Sequence, residues 1–296
     1  MTPTFSIVIP NYNSGPVLER CIQSLLAQDY PKLQLIMADS CSTDESKQII
    51  EKYREHFDVL IIEKDKGQAD GLNKGFSRAT GEIFGWLCAD DELLPGTLHH
   101  VAEIFAKNPD VDIVTGKCER VMPDGQTRFV TGGDPETWQK IGIQNVIEQP
   151  STFWKASMHR KVGQLDTSYH LGFDWDLWAR LRNAGAKIQV TDRVLSRYYF
   201  SDTNKTGSAG ALFVKEAFRL VKTYGPLGGA LAHIYRFLYK HFDLKGCYDK
   251  PPRCSKYRFM AFMWTMAVLR VLIGKRLLLM YNWHFAACQE RNVKWF

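Results

Sequence analysis

Carboxylates follow directly after two apolar segments in the first third of the chain. Asp39 ends the run LQLIMAD, and Asp90, Asp91 and Glu92 follow the run GWLCA. Three adjacent acids repel one another unless a cation or several hydrogen-bond donors compensate their charge. Oxygen ligands favour hard cations such as Mg²⁺ or Mn²⁺, which keep positions open for phosphate oxygens. The alternative is that these acids begin a helix, whose first turn they would stabilise.

Asp39 has two interpretations. At the end of a strand it can accept hydrogen bonds from a nucleotide base or a ribose, and it could equally be a solvated acid in a turn. Ser42 and Glu45 have the spacing of a capping box, so we expect Ser42 to cap the helix that follows.

The segment 65–75, DKGQADGLNKG, places glycines and lysines between a strand and a helix. Such a loop could approach a diphosphate, because backbone N–H groups at a helix start bind anions. Its spacing matches neither the Walker pattern nor the dinucleotide-binding pattern. Lys66 and Lys74 could equally be solvated charges on the helix.

Two further acids lie among large aromatic residues in FDWDLWARL, residues 173–181. An acid beside tryptophan surfaces can have its pKa raised toward the range of a general base. Asp176 could instead form an ion pair with Arg180, four residues later in the predicted helix. We therefore predict that Asp174 is the better candidate for a base, at the start of a helix whose apolar side faces the core.

Strands and helices alternate in the predicted structure from Phe5 to about Tyr199. Apolar runs of strand length, each followed by a helical pattern, begin at Phe5, Leu33, Val59 and Ile83. This alternation predicts right-handed βαβ crossovers and a largely parallel sheet. The Asp124-Gly125 pair predicts a hairpin turn, so antiparallel strands should join the sheet there. Ligands of such sheets bind at the carboxyl ends of the strands, where the acids described above are expected.

The composition excludes several classes of protein. The chain has 296 residues, of which 45% are hydrophobic and 24% charged, so it is neither wholly disordered nor fibrous. Its seven cysteines include no C-x-x-C pair, which argues against a disulfide framework or a zinc knuckle. The first residues lack the basic start and long apolar run of a signal peptide, so we expect a cytoplasmic protein.

The net charge of +6 is unevenly distributed along the chain. Residues 1–210 hold 23 Lys and Arg against 28 Asp and Glu, whereas residues 211–296 hold 15 against 4. The second segment is also aromatic and helical in pattern, so we predict a domain of residues 1–206 and a basic helical region of residues 207–296. Its positive charge is interleaved with apolar residues and lacks base-stacking motifs, which argues against nucleic-acid binding.

Six ordered motifs between residues 4 and 206 resemble the family 2 glycosyltransferases with the GT-A fold: SIVIPNYN, MADSCSTDES, EKDKGQADGLNKGF, GWLCADDELLPGTL, QPSTFW and GFDWDLWARL. The resemblance implies an α/β GT-A nucleotide-sugar-binding fold, with a mostly parallel central sheet and flanking helices, followed by the basic helical extension. It also implies an inverting, metal-dependent transfer from a nucleotide sugar, with a UDP-sugar favoured and with Mn²⁺ or Mg²⁺ as the cofactor.

The resemblance assigns roles to individual residues. Asp39 would contact the nucleotide base, and Asp174 would be the catalytic base. Asp90 and Asp91 would hold the metal, and Asp90 would also contact the nucleotide sugar. The other residues that would bind the nucleotide sugar are Pro10, Tyr12, Asn13, Asp65, Lys66, Gly67, Gln68, Asn73 and Lys205.

Several positions depart from the family pattern. Cys88 stands where members often have Asp or Asn, so the first arm of the acidic metal-binding element is missing. Phe173 replaces the Glu that precedes the catalytic base in many members. Tyr199 and Ser201 stand where many relatives have Arg and His, which leaves Lys205 as the diphosphate contact. The alternative function is therefore a noncatalytic, nucleotide-sugar-binding scaffold subunit of a glycan-assembly complex, which the retained acids oppose.

Residues 257–285 form the most hydrophobic stretch of the chain. Its longest uncharged run, residues 259–269, has 11 residues, too few for a membrane-spanning helix. Basic and aromatic residues around it predict a helix in the membrane interface, with its cations toward anionic lipid headgroups. Alternatively, the stretch packs on the catalytic domain or forms a homo-oligomer interface. Membrane attachment would bring the site to a glycan or polyprenyl-diphosphate-linked acceptor at the inner face of the cytoplasmic membrane.

Overall fold

The chain divides into two compact units, residues 1–138 with 147–201 and residues 139–146 with 202–296. The computed structural model describes residues 2–134, 136–201 and 210–225, and residues 205, 230, 233, 256, 257, 260, 264, 267, 268 and 271. The division after residue 206 stays a prediction. The C-terminal region predicted from the sequence did not include the short segment 139–146, which belongs to the second unit.

Strands and helices alternate through the first unit, and the longest helix whose bounds are described lies in the second. The described strands are β1 (Phe5–Asn11), β2 (Leu33–Asp39), β3 (Val59–Ile62), β4 (Ile83–Trp86), β5 (Glu92–Leu93), β6 (Ile113–Val121), β7 (Arg128–Gly132), β8 (Thr152–Lys155) and β9 (Ile188–Tyr199). The described helices are α1 (Gly15–Leu26), α2 (Ser46–Lys52), α3 (Gln68–Phe76), α4 (Thr97–Lys107), α5 (Thr137–Lys140), α6 (Ala156–Val162), α7 (Phe173–Asn183) and α8 (Gly210–Tyr224). Short 3₁₀ turns cover Arg54–His56 and Gln149–Ser151.

One mixed sheet with the strand order β3-β2-β1-β4-β8-β6-β9-β5 forms the centre of the first unit, and β7 pairs with β6. The first four strands are parallel, which confirms the predicted βαβ pattern. β8 is antiparallel to β4 and to β6, whereas β9 is parallel to β6. β6 and β7 form the predicted hairpin, and Gly125 in its turn has a φ of 68°. The α/β fold with a central sheet and flanking helices is therefore confirmed.

Both faces of the sheet are covered by apolar side chains. On one face residues of α1 and α4 join those of β1 and β2 in one apolar core, which also includes the rings of Phe5, Tyr30 and Phe105. On the other face lies an aromatic cluster of Phe76, Phe84, Trp86, Trp154, His159, Phe173 and Trp178. α3 approaches β1 closely at Gly75, where a methyl group would collide with the side chain of Val8. A parallel sheet buried on both faces leaves the ends of its strands as the places where polar side chains can act.

The predicted interfacial stretch, residues 257–285, is described at only a few positions. Tyr257, Met260, Trp264 and Val271 are helical, and their side chains are exposed. The rest of this prediction lies outside the described residues. Within the described part of the chain, no helix combines the length and the hydropathy needed to cross a bilayer.

His159 lies in the aromatic cluster, with its ring centroid 4.9 Å from that of Phe76 and 5.4 Å from that of Phe84. Burial lowers the pKa of His159 to about 4, and the charges of Arg180 and Arg160 act in the same direction. The unfolded chain binds this proton near its ordinary pKa of 6.5, so acid favours unfolding between about pH 6.5 and about pH 4. We predict that, as the pH is lowered through this window, the free energy of unfolding of the wild type falls by up to about 3 kcal/mol more than that of the His159→Phe variant.

Urea unfolding at several pH values measures this difference. His56→Phe is the control, because it removes an exposed histidine and leaves His159 in place. Equal pH dependence in the wild type and His159→Phe would show that His159 titrates normally in the folded protein.

Candidate functional site

The carboxylate of Asp39 lies at the end of β2 and is buried. It accepts hydrogen bonds from Asn11 Nδ2 at 2.7 Å, from the Ser42 N–H at 2.9 Å and from the Ser42 hydroxyl at 2.5 Å. The interpretation of Asp39 as a solvated turn acid is therefore wrong. A carboxylate has about four lone-pair positions, so Asp39 keeps capacity for one donor group of a ligand.

Ser42 does not cap α2, and the capping-box interpretation is wrong. α2 begins at Ser46, its N-cap residue Glu45 makes no side-chain cap hydrogen bond, and the Ser46 N–H donates instead to Asp44 Oδ1 at 3.0 Å. The Ser42 hydroxyl instead accepts hydrogen bonds from the Asn13 N–H at 2.9 Å and from Asn11 Nδ2 at 3.1 Å. This one hydroxyl joins the end of β1 to the loop after β2, and it holds the carboxylate of Asp39 in place.

Pro10, Tyr12 and Asn13 lie at the end of β1, which pairs in parallel with the strand that ends in Asp39. Asn13 has a φ of 51°, and its side-chain oxygen accepts a hydrogen bond from the Thr43 N–H at 2.8 Å. Pro10 is buried, whereas Tyr12 is 65% exposed. An exposed aromatic ring near a buried hydrogen-bond acceptor can stack on a planar ligand while the acceptor binds one of its N–H groups.

Asp65, Lys66, Gly67 and Gln68 form the turn that begins α3. Asp65 Oδ1 accepts a hydrogen bond from the Gly67 N–H at 2.9 Å. Gly67 has a φ of 127°, in the left-handed region that favours glycine. The Asp65 N–H donates to Ser40 Oγ at 3.1 Å, which connects this turn to the end of β2.

Asn73 and Lys74 make contacts that stabilise the fold. Asn73 Nδ2 donates to the Leu165 carbonyl oxygen at 2.9 Å, and Asn73 Oδ1 accepts from the Leu165 N–H at 2.8 Å. Lys74 Nζ donates to the Lys64 carbonyl oxygen at 2.6 Å and lies 3.4 Å from the Glu63 carboxylate. The amide of Asn73 joins α3 to the segment before α7, so we do not retain Asn73 in the donor site that we propose.

The acids after β4 do not begin a helix. β5 follows them and α4 starts only at Thr97, so the interpretation as an acidic helix start is wrong. Asp91 is 2% exposed, and its Oδ1 has no hydrogen-bond partner among the described residues. Burial raises the pKa of Asp91 well above its usual range, and the charge of Asp90 raises it further. Burial also raises the pKa of Asp90.

These acids fit a divalent cation. Ligand atoms of Cys88, Asp90 and Asp91 lie within 4.8 Å of one another. A buried carboxylate oxygen without a partner destabilises a protein, because it has lost its water without gaining another donor. A cation held by Asp90 and Asp91 would remove this penalty, and carboxylate oxygens suit Mg²⁺ and Mn²⁺.

A charged network that the sequence did not reveal surrounds Glu92. Glu92 Oε1 lies 2.8 Å from Arg20 Nε, and Glu92 Oε2 lies 3.1 Å from Arg197 Nη1. Glu92 Oε1 also accepts a hydrogen bond from the Tyr199 hydroxyl at 3.0 Å. Arg20 Nη2 donates to the Asp90 carbonyl oxygen at 3.0 Å, and its guanidinium lies 3.6 Å from the centre of the Tyr199 ring. The backbone of Asp90 is thereby anchored to α1 and, through Tyr199, to β9.

Asp174 lies in the first turn of α7. α7 packs on β4, where Trp178 stacks on Trp86 with ring centroids 5.8 Å apart and planes 5° apart. The Phe173 ring lies 6.2 Å from the same Trp86 ring. The start of α7 therefore lies beside the strand that leads to the two acids of the cation site.

Asp176 forms the ion pair that was its alternative interpretation. Its Oδ2 lies 2.7 Å from Arg180 Nε, and Arg180 also donates to the carbonyl oxygens of Val162 at 2.8 Å and Gln164 at 3.0 Å. These contacts give Asp176 a role in packing α7 and leave Asp174 as the candidate base.

The structure brings the predicted residues that follow β1, β2 and β4 to one edge of the sheet. β2 and β4 both pair in parallel with β1, so their carboxyl ends lie on the same edge, on either side of β1. Lys205 belongs to the second unit, and its place relative to this edge stays a prediction.

Known proteins resemble this chain in sequence. The sequence profile of the family described as Glycosyl transferase family 2 matches residues 6–158. A glycosyltransferase of PGL/p-HBAD biosynthesis from Mycobacterium bovis is 31% identical over 178 residues, which are 59% of this chain and 68% of that protein. An uncharacterized glycosyltransferase from Rickettsia typhi is 26% identical over 215 residues, which are 69% of this chain and 67% of that protein.

Solved structures share the fold at lower sequence identity. S. aureus TarS 1-349 in complex with UDP-GlcNAc has a TM-score of 0.62 at 17% identity, and the match covers 97% of this chain and 89% of that one. The mannosyltransferase PcManGT from Pyrobaculum calidifontis, in complex with GDP-Man and Mn²⁺, has a TM-score of 0.58 at 18% identity and covers 97% and 86%. A longer TarS chain is covered over 53% of its length. These matches confirm the expected GT-A-like fold, and the profile match establishes that the chain belongs to glycosyltransferase family 2.

Proposed function

We propose that this glycosyltransferase moves a sugar, with inversion of configuration, from a nucleoside-diphosphate sugar to a hydroxyl of a glycan or lipid-linked glycan. The observation that carries the proposal is the position of two buried acidic sites on one edge of the sheet. Asp39 lies at the end of β2, and Asp90 and Asp91 follow β4. A nucleotide sugar needs a site for its base and a separate site for its diphosphate, and this edge offers both.

The base would bind at the end of β2. Asp39 can accept one further hydrogen bond, as from the ring N–H of uracil, and the exposed ring of Tyr12 offers a stacking surface. The solved relatives with this fold include complexes with UDP, with UDP-GlcNAc and with GDP-Man, which supports a nucleotide-sugar donor. A UDP-sugar is the donor that we favour.

The diphosphate would bind near the end of β4. Asp90 and Asp91 would hold Mn²⁺ or Mg²⁺, which when bound supplies positive charge against the diphosphate. The turn at Asp65, Lys66, Gly67 and Gln68 would complete the donor site. Lys205 of the second unit would add a cation to the leaving nucleoside diphosphate.

Asp174 would act as the general base. A carboxylate at the start of α7 can accept the proton of the acceptor hydroxyl as this oxygen attacks the anomeric carbon. Attack from the side opposite the leaving diphosphate, in a single displacement, inverts the configuration. Packing of Trp178 and Phe173 on Trp86 holds the start of α7 beside β4.

We predict that Asp174→Asn lowers donor turnover about 100-fold or more, because general bases contribute about 10²-fold to 10⁴-fold. Turnover is measured as metal-dependent release of UDP or GDP from a panel of nucleotide sugars, without and with candidate acceptors. The affinity for UDP, measured by calorimetry, should remain at the wild-type value, since Asp39 and not Asp174 contacts the base in this proposal.

Asp110→Asn is the matched control, because Asp110 is an exposed acid that pairs with Lys187. Near wild-type turnover by Asp174→Asn would refute the assignment of the base. Tight donor binding by the wild type without turnover under any acceptor would instead support the noncatalytic scaffold.

We also propose that the basic C-terminal region attaches the protein to the inner face of the cytoplasmic membrane, beside a polyprenyl-diphosphate-linked acceptor. Residues 211–296 carry 15 Lys and Arg against 4 Asp and Glu. Tyr257, Met260, Trp264 and Val271 are exposed apolar side chains at spacings that fall on one side of a helix. Cations combined with such an apolar stripe favour the surface of an anionic membrane.

We predict that the full chain carrying Met260→Ser and Trp264→Ser binds anionic vesicles at least about tenfold more weakly than the wild type in flotation assays, because about 1 kcal/mol or more is lost with each apolar side chain. Val130→Ser is the control, since Val130 is an exposed apolar residue of the first unit. Unchanged flotation of the double variant, together with a loss of oligomers in sedimentation, would assign the stripe to a contact between copies of the chain.

A further inference from the structure

The cation site contains a sulfur atom. Cys88 Sγ lies with carboxylate oxygens of Asp90 and Asp91 in a group whose atoms are all within 4.8 Å of one another. A neighbouring cysteine alone does not make a ligand. The second observation is made on Asp91, one of the same three residues: its buried Oδ1 has no hydrogen-bond partner among the described residues.

Two glutamine side chains hold the sulfur in place. Gln68 Nε2 donates to Cys88 Sγ at 3.1 Å, and Cys88 Sγ lies 3.6 Å from Gln149 Oε1, to which it can donate its proton. Gln149 is itself fixed, because its Nε2 donates to the Trp86 carbonyl oxygen at 2.8 Å. The sulfur therefore has a preset position at the end of β4.

We propose that Cys88 binds the divalent cation through its sulfur, as a thiolate, so that the site prefers borderline and soft cations over Mg²⁺. The inference rests on the proposed function in assuming that a cation binds Asp90 and Asp91. On binding, the S–H bond breaks, its proton goes to solvent, and a sulfur lone pair forms the bond to the metal. No oxidant or reductant is needed.

The hydrogen bonds around the sulfur are compatible with a thiolate. The bond from Gln68 Nε2 is kept and becomes stronger, because its acceptor gains a negative charge. The bond to Gln149 is lost with the proton, at small cost, since a thiol is a weak donor. Oxygen ligands alone suit Mg²⁺ and Mn²⁺, whereas a thiolate ligand shifts the preference toward Co²⁺, Zn²⁺ and Cd²⁺.

Absorption spectroscopy of the full chain titrated with Co²⁺ tests the proposal without any measurement of turnover. A thiolate bound to Co²⁺ produces sulfur-to-metal charge-transfer absorption in the near ultraviolet, which carboxylate ligands do not produce. We expect this band in the wild type and in Cys41→Ser, whose half-buried cysteine lies outside the cluster, and its loss in Cys88→Ser. Urea unfolding of each variant verifies that it is folded.

Cys88→Asp provides a second test that keeps the charge of the site. The Cys88→Asp variant should lose the charge-transfer band and should still bind Mn²⁺, which electron paramagnetic resonance detects. Its affinity for Cd²⁺ relative to Mg²⁺ should fall about tenfold or more, since changes around metal ligands alter affinity by about 10-fold to 100-fold.

The outcomes separate this inference from the proposed function. Binding of Mn²⁺ by the wild type without a Co²⁺ charge-transfer band, or an unchanged band in Cys88→Ser, would overturn thiolate ligation and leave the cation site intact. Absence of any Mn²⁺ binding, with or without UDP, would overturn both the thiolate and the metal dependence of the proposed reaction.

Discussion

The burial of the Asp91 carboxylate is the constraint on which the site depends. A carboxylate removed from water needs donors or a cation, and Asp91 Oδ1 has no hydrogen-bond partner among the described residues. Burial and the nearby charge of Asp90 raise its pKa well above its usual range, which disfavours the charged form of the carboxylate relative to the neutral form. A divalent cation reverses this preference, because it stabilises both carboxylates in their charged form. Formation of the site and binding of the metal are thus coupled.

The surrounding structure keeps these acids in place before any ligand arrives. Arg20 fixes the backbone of Asp90 and pairs with Glu92, which also contacts Arg197 and Tyr199 of β9. These contacts join α1, the turn after β4 and β9 in one network. Preset positions matter for catalysis, because groups that need not reorganise stabilise developing charge more effectively. The network gives Tyr199 contacts with both Arg20 and Glu92.

The sequence was sufficient to predict the strands that end in acids, because apolar runs alternate with helical patterns and parallel strands end on one edge. It was not sufficient for contacts made across the fold. Glu92 and Arg197 are 105 residues apart, and they meet only because β9 returns to pair with β5. Ser42 was misinterpreted because the spacing of a capping box says nothing about a hydroxyl that bonds to a neighbouring strand. Asn73 likewise gave no sign of its bonds to Leu165.

Thermal unfolding of the wild type and Asp91→Asn, each with and without Mn²⁺, tests the central claim most directly. The account predicts that Mn²⁺ raises the unfolding temperature of the wild type, since a ligand that binds the folded state stabilises it. Asp91→Asn should be at least as stable as the wild type without metal, because it removes a buried carboxyl group that the charge of Asp90 disfavours, and it should gain no stability from Mn²⁺. The same Mn²⁺-dependent increase in both proteins would contradict the account.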